Sequence, residues 1–299
     1  MWAVNSTGST VAVNRNTFSP NQTDVPKIPK HSVQISVNSI AGSDNCARFG
    51  QPIEDVRQYA GQTVTCSFYA KADSRRNIAL ELRQFFGSGS PMAESYSNGV
   101  QKIAITTEWQ RFDIGIHIAS IVGKKIGPVG NDCLQVIFWL DAGTTYDSRT
   151  DSLGHQSGVF DFAQCGLLDG DNPGDMEYLK PRPIHERLIE CERYCEKSYN
   201  LEVPPGALDN RGVVTHVKNP DDSYLRWIPF RQRMRTPKVT CFSFKTGKPG
   251  MVVQEYTDVG VHTSTTLGEC GFFIHLNQAF ANPDRYFIQW LASVEDLVI

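Results

Sequence analysis

The chain has 299 residues, of which 40% are hydrophobic and 20% charged, with a formal net charge of −3 and a pI near 6.2. That length suits two domains of roughly 100–200 residues each, and the composition is that of a chain able to bury a core rather than stay disordered. No basic stripe marks a nucleic-acid binder, no segment approaches the roughly 20 apolar residues of a membrane helix, and the start Met1-Trp2-Ala3-Val4-Asn5 lacks the charged and apolar regions of a secretory signal.

The first 45 residues are rich in Asn, Ser, Thr and Pro, with weak strands around Val11 and over His31 to Val37. They read as the opening strands of a first sandwich, with an attachment arm as the alternative. Period-two alternation then recurs between Gly, Asn, Asp and Ser clusters. Thr63 to Ala70 puts Val64, Cys66, Phe68 and Ala70 on one face, and Ile78 to Phe85 puts Ile78, Leu80 and Leu82 on one face. Arg111 to Ile118 places Phe112, Ile114, Ile116 and Ile118 together, and Val159 to Cys165 alternates again. Cys133 to Leu140 is apolar on both faces, as a central strand would be. Short strands at this spacing indicate a sandwich or barrel rather than a βαβ sheet.

One helix is predicted from Pro183 to Lys197. Proline suits a first helical turn, and Ile184, Leu188, Cys191 and Cys195 follow at helical spacing. This seam either packs on a sheet, the favoured reading, or lines a trimer axis. Pro204, Pro205 and Gly206 then break the chain. Strands are predicted over Leu225 to Phe230, Lys238 to Phe244, Met251 to Tyr256, Gly271 to Leu276 and Tyr286 to Leu291, with Asn277 to Asp284 a loop. The alternating Arg231, Arg233 and Arg235 read as a solvated strand face, with an anionic-ligand site as the minor alternative.

Eight cysteines show no regular spacing and no Cys-x-x-Cys pair. They read as small buried hydrophobes of a protein made in a reducing cytoplasm.

The order of short motifs along the chain carries a resemblance. Ile53-Glu54-Asp55-Val56-Arg57, Ala60-Gly61-Gln62-Thr63-Val64-Thr65, Phe68-Tyr69-Ala70-Lys71-Ala72 and Glu81-Leu82-Arg83-Gln84-Phe85-Phe86-Gly87 come first. Trp109-Gln110-Arg111-Phe112, Phe138-Trp139-Leu140-Asp141-Ala142-Gly143 and Phe160-Asp161-Phe162-Ala163-Gln164 follow. Together with Arg182-Pro183-Ile184 and Cys191 to Tyr199, they resemble a carbohydrate-binding-like module of phage and prophage tail proteins. The remainder, with Pro205-Gly206, the run Phe230, Met234, Arg235, Pro237, Val239 and Thr240, and an aromatic last strand, resembles the β module that often follows it. The resemblance implies an all-β protein: a galactose-binding-like jelly-roll β-sandwich over 1–180, a connecting helix over 181–200 and a second, smaller β-sandwich over 201–299. It also implies a homotrimeric component of a virion tail, made in the host cytoplasm, meeting other tail proteins and host-surface polysaccharide. Tail fibres generally carry a long N-terminal docking region, whereas Met1 here lies almost directly before the first strand, so docking is expected through the module surface or another gene product.

Sugar recognition needs flat aromatic faces for pyranose rings and planar polar groups for hydroxyls. Tyr69, Arg83, Phe85, Gln135 and Trp139 lie at odd positions of three predicted strands and form the candidate glycan face. The competing reading makes Trp139 and Phe85 core. Asp169, Asp171 and Asp175 resemble a calcium loop, but Pro173 and Lys180 stand where ligands belong, so a solvated turn is expected and no metal or other cofactor. No nucleophile elbow or zinc-protease pattern occurs, and nothing in the sequence places Glu81 and Glu94 at a glycosidase separation. No catalytic site is expected.

Overall fold

The computed structural model describes residues 2–27, 29–91, 95–174, 183–218, 225–235, 237–262, 267–276 and 284–294. The chain divides into two compact units, Met1–Pro181 and Arg182–Asp296, and is all-β apart from short helical segments.

The first unit is a jelly-roll sandwich of two five-stranded antiparallel sheets. The front sheet runs in the order β1 (Ala3–Thr7), β4 (Cys46–Glu54), β9 (Cys133–Ala142), β6 (Arg76–Phe85) and β7 (Ser95–Ile105). The back sheet runs β2 (Thr10–Thr17), β3 (His31–Asn38), β10 (Gly158–Asp169), β5 (Thr63–Ala72) and β8 (Gln110–His117). The chain crosses repeatedly between the sheets, with β2–β3 and β6–β7 the two successive pairs that stay in one sheet, so the apolar rows of both sheets face one interior. The N-terminal residues therefore supply opening strands to both sheets.

Alternation decides which side chains meet. Ile78, Leu80 and Leu82 of β6, Leu134, Val136, Phe138 and Leu140 of β9, and Val64, Cys66, Phe68 and Ala70 of β5 interdigitate with Phe160 and Phe162 of β10. Phe138 meets Phe68 edge-on at 4.8 Å and Phe162 at 5.1 Å. β9 is central in its sheet, and every residue in it is buried. Cys66 sits in this core, where burial pushes its thiol up to about 12. All eight cysteines are free, and Cys191 and Cys270 are exposed, which departs from the expectation of burial for those two.

In the second unit, α2 (Ile184–Glu192) is followed by β11 (Cys195–Lys197), β12 (Val214–Lys218), β13 (Arg226–Pro229), β14 (Pro237–Phe242), β15 (Met251–Gln254), β16 (Thr257–His262), β17 (Leu267–Gly268), β18 (Gly271–Leu276) and β19 (Asp284–Val294). The described strands join into one connected antiparallel sheet through β19, whose first half pairs β12 and β15 and whose second half pairs β11 and β14. Inner faces of six strands share one core around Tyr286, Trp290 and Phe272, with Trp290 edge-on to Phe272 at 5.3 Å.

The predicted helix is shorter than its apolar spacing suggested. It ends at Glu192, and Cys195 begins β11, opposite Ser293 of β19, so it does not share a helical face with Ile184, Leu188 and Cys191. A nine-residue helix with no side-chain cap is marginal by itself, whereas the edge of β19 offers a ready ladder of backbone partners. The helix does not bury its seam: Ile184 is 57% exposed, Leu188 only half-buried and Cys191 exposed. Arg231, Arg233 and Arg235 do not lie on a strand. Arg231 instead pairs with Glu192 at 2.7 Å.

Candidate functional site

The two outer faces of the first unit's sandwich are built differently, and the sequence-predicted glycan residues divide between them. Arg83, Phe85, Gln135 and Trp139 share the outer face of the front sheet, because Arg83 is paired with Gln135 and Phe85 with Cys133 in the β6–β9 ladder. Tyr69 lies on β5, in the back sheet, and faces away from the other four. The five residues therefore do not form one surface. The reason is the jelly-roll crossover, which sends β5 and β6 to opposite sheets although they adjoin in sequence.

On the front face, Trp139 is wholly buried. Its indole Nε1–H donates to Glu81 Oε2 at 3.0 Å, and the guanidiniums of Arg149 and Arg48 lie 4.8 and 5.1 Å from its ring centroid. The short helix α1 (Asp147–Thr150) brings Arg149 here, and Arg149 binds both carboxylate oxygens of the buried Glu81, at 3.0 and 2.8 Å. Tyr146 and Leu153 pack against the same cluster. Trp139 therefore offers no open ring to a sugar, and Phe85 and Gln135 are buried with it. Glu81 is engaged in a structural pair, while Glu94 lies outside the described residues.

On the back face a polar cleft of about 290 Å³ opens between β2, β10, β5 and the loop after β2. Lys71 stands directly opposite Asp161 in the β5–β10 register, a charged pair set in otherwise apolar strands. Asp161 is buried, and Asn16 Nδ2 and Gln34 Nε2 both donate to its Oδ1 at 3.3 Å. Among the described residues no donor reaches Oδ2, and Asp161 lines the cleft. Burial raises the Asp161 pKa, and the nearby Lys71 charge and the two amide donors oppose that shift.

Trp109 and Phe18 form the aromatic wall, with centroids 5.6 Å apart, and the Lys71 ammonium sits 5.3 Å from the Trp109 ring. Trp109 and Phe18 are only partly buried. The loop carrying Phe18 is fixed by its own chemistry. Gln22 Nε2 donates to the carbonyl of Val25 at 2.7 Å and its Oε1 accepts from Val25 N–H at 2.9 Å. Val25 is thereby pressed onto Tyr69 and Ala163, so Tyr69 is the floor under the loop rather than an open stacking platform. Gln164, at a bulge in β10 with φ 49°, donates to the carbonyl of Pro26 at 2.8 Å and ties the loop to the sheet.

The back face continues toward β8 as a second polar knot. Arg111 pairs with Asp113 at 3.0 Å, Ser67 donates to the same carboxylate, and Gly174 N–H donates to its other oxygen at 3.1 Å. These bonds hold Asp113 below the usual carboxylate range against the opposing effect of burial. The predicted calcium residues Asp169 and Asp171 lie in the neighbouring turn, and Asp175 lies outside the described residues. The turn is organised by Thr65, whose hydroxyl donates to Gly170 O at 2.8 Å and accepts from Asn172 N–H at 3.0 Å. Among the described residues no group of three potential metal ligands assembles.

No protein-family model and no curated protein matches the sequence. Solved structures do resemble it in part. A family 11 carbohydrate-binding module of the cellulosomal cellulase Lic26A-Cel5E from Clostridium thermocellum is 12% identical, with 58% of this chain and 91% of that one covered at a TM-score of 0.36. A structure described as "CBM4 structure and function" is 18% identical over 56% of this chain and 86% of its own, at a TM-score of 0.33. The enzymatically active domain of tailspike protein 4 of bacteriophage CBA120 is 16% identical over 56% of this chain, at a TM-score of 0.34, and the match spans about a fifth of that tailspike chain (19%).

Proposed function

We propose that this chain is a glycan-binding component of a phage tail, and that its first unit takes a saccharide in the back-face cleft rather than on the front-face residues singled out by sequence. The observation that carries this reading is the cleft itself. It joins a partly open aromatic wall, a carboxylate oxygen with no protein donor and a lysine, which is the mixture a sugar needs: an apolar C–H face to cover and hydroxyls to pair on desolvation. Sugar stacking on Trp109 displaces the Lys71 ammonium from the ring, freeing it to donate to a hydroxyl.

The tail assignment draws on the ordered motifs from Ile53 to Tyr199. The homotrimer draws on α2, whose Ile184 and Ile189 are open to solvent. The chain acts by binding, without catalysis and without a metal, in contact with other virion tail proteins. A labelled preparation of the intact protein on an array of bacterial surface glycans tests the binding role. Retention of at least one glycan class, lost by Trp109→Ala and kept by Tyr256→Ala at an exposed site in the other unit, is the expected result. No retention, or retention indifferent to Trp109, refutes it. A second reading, a virion scaffold that only borrows the sandwich, is favoured by the burial of Trp139 and Phe85, and an array without signal would leave it standing.

A further inference from the structure

The front face carries more positive charge than its internal pairing uses. Arg48, Arg83 and Arg149 come from β4, β6 and the α1 segment; Arg48 and Arg149 lie over the Trp139 ring, and both charges act on Arg83. One carboxylate, Glu81, stands among them, and Arg149 takes both of its oxygens. Among the described residues neither Arg48 nor Arg83 has a carboxylate within ion-pair reach. Arg83 reaches only the Ser95 hydroxyl, and Arg48 Nε is buried with no acceptor. The registry explains the shared face. Arg48 lies beside Trp139 across β4–β9, and Arg83 lies beside Gln135 across β9–β6, on the same face.

We propose that Arg48 and Arg83, with Arg149 behind them, form an oxyanion site on the outer face of the front sheet, taking a carboxylate or sulfate group. A guanidinium is a planar fork of donors that matches such groups, and a half-buried fork with an unanswered donor, as at Arg48 Nε, retains a desolvation cost that an arriving oxyanion removes. Burial first, then the like charges of Arg149 and Arg48, push the Arg83 pKa down, against the opposing charge of Glu81. The chain is acidic overall, at −3, so this cationic cluster is a local feature rather than general surface charge. An oxyanion here comes either free in solution or as a uronate or sulfate ester on a saccharide. The site is separate from the back-face cleft and stands or falls independently of it.

The test titrates the intact chain by calorimetry with sodium sulfate, with a hyaluronate tetrasaccharide and with neutral cellotetraose, for wild type, Arg48→Gln/Arg83→Gln and Trp109→Ala. Sulfate and the hyaluronate fragment are expected to bind wild type and to compete with each other, with affinity falling as salt rises. The double variant is expected to lose at least tenfold in affinity for both, while Trp109→Ala keeps it. Tighter binding of the tetrasaccharide than of sulfate assigns the oxyanion to a saccharide, and equal binding assigns it to a free ion. Thermal unfolding without added anion provides the control. The double variant is expected to unfold in one cooperative transition, because its loss of the Arg48–Trp139 and Arg83–Ser95 contacts is offset by relief of like-charge repulsion. Absence of binding by either anion, or binding that the folded double variant retains, overturns the site. Cellotetraose binding lost in Trp109→Ala alone would support the cleft while leaving this result to decide the arginines.

Discussion

The two outer faces of the first sandwich solve the same problem in opposite ways. Both must cover a sheet whose inner side is already committed to the core. On the front face a bidentate ion pair and a short helix cover the tryptophan ring, leaving arginines rather than aromatic faces outermost. On the back face a polar loop leans over Tyr69 but leaves an aromatic wall and a carboxylate edge uncovered. An aromatic residue on the outer face of a jelly-roll sandwich is thus no guide to ligand contact by itself. What separates Trp139 from Trp109 is whether neighbouring elements have already taken its ring.

Substitutions that break this contrast are expected to rank by burial. Trp139→Ala should cost about 3–5 kcal/mol in urea unfolding, the range for removing a fully buried large aromatic; a cost below about 1 kcal/mol would mean the front face is open. Glu81→Gln should cost roughly 2–4 kcal/mol in the same assay, because it strands the half-buried Arg149 and weakens the bond to the Trp139 indole. Trp109→Ala, at a partly exposed ring, should cost only about 1–2 kcal/mol while removing saccharide binding. The pairing of a small stability loss with a large affinity loss is what distinguishes the back face.

Asp161 sharpens the contrast through pH. Its folded pKa is raised, mainly by burial. The native state therefore holds a proton more tightly than the unfolded chain, and stability falls as pH rises from the unfolded aspartate value through the raised folded value. The penalty is fully present above that window and absent below it. Asp161→Asn should flatten this segment of the stability profile, measured by urea midpoints between pH 3 and 7 in roughly half-unit steps. An unchanged profile would mean the carboxylate is well solvated. At the small end, Ile184→Ser should change stability by only about 0–0.5 kcal/mol, as expected for an exposed site. Light scattering on the same variant tests the trimer: a wild-type trimer that dissociates on this change fits the α2 seam, and a wild-type monomer refutes it.

Much of the fold was legible where one strand face is apolar and the other polar. β5, β6, β9 and β10 announce themselves because Val64, Ile78, Leu134 and Phe160 begin unbroken inward rows. β7 did not, since its early residues Ser95, Ser97 and Asn98 are polar and only Ile103 and Ile105 reach the core. β11 was read as helix because Cys195 continues an i, i+4 series by coincidence, and only the distant β19 shows otherwise. The cleft was less legible still. Asn16 and Asp161 are 145 positions apart, and no local pattern joins them to Lys71 and Trp109. One signal was present: Asp161 in Phe160-Asp161-Phe162 and Lys71 in Tyr69-Ala70-Lys71 share the outward parity of their strands, opposite charges able to meet across the sheet. Crossover topology, not side-chain chemistry, decided that Tyr69 and Trp139 would face opposite ways.

The division of labour between the faces is tested most directly by following the indole N–H signals of Trp109 and Trp139 by NMR while neutral oligosaccharides are titrated into the intact chain. The expected result is a shift at Trp109, with accompanying shifts at the Lys71 and Asp161 amides, and an unmoved Trp139. A shift at Trp139 with Trp109 silent, or silence at both across the oligosaccharide panel, would contradict it.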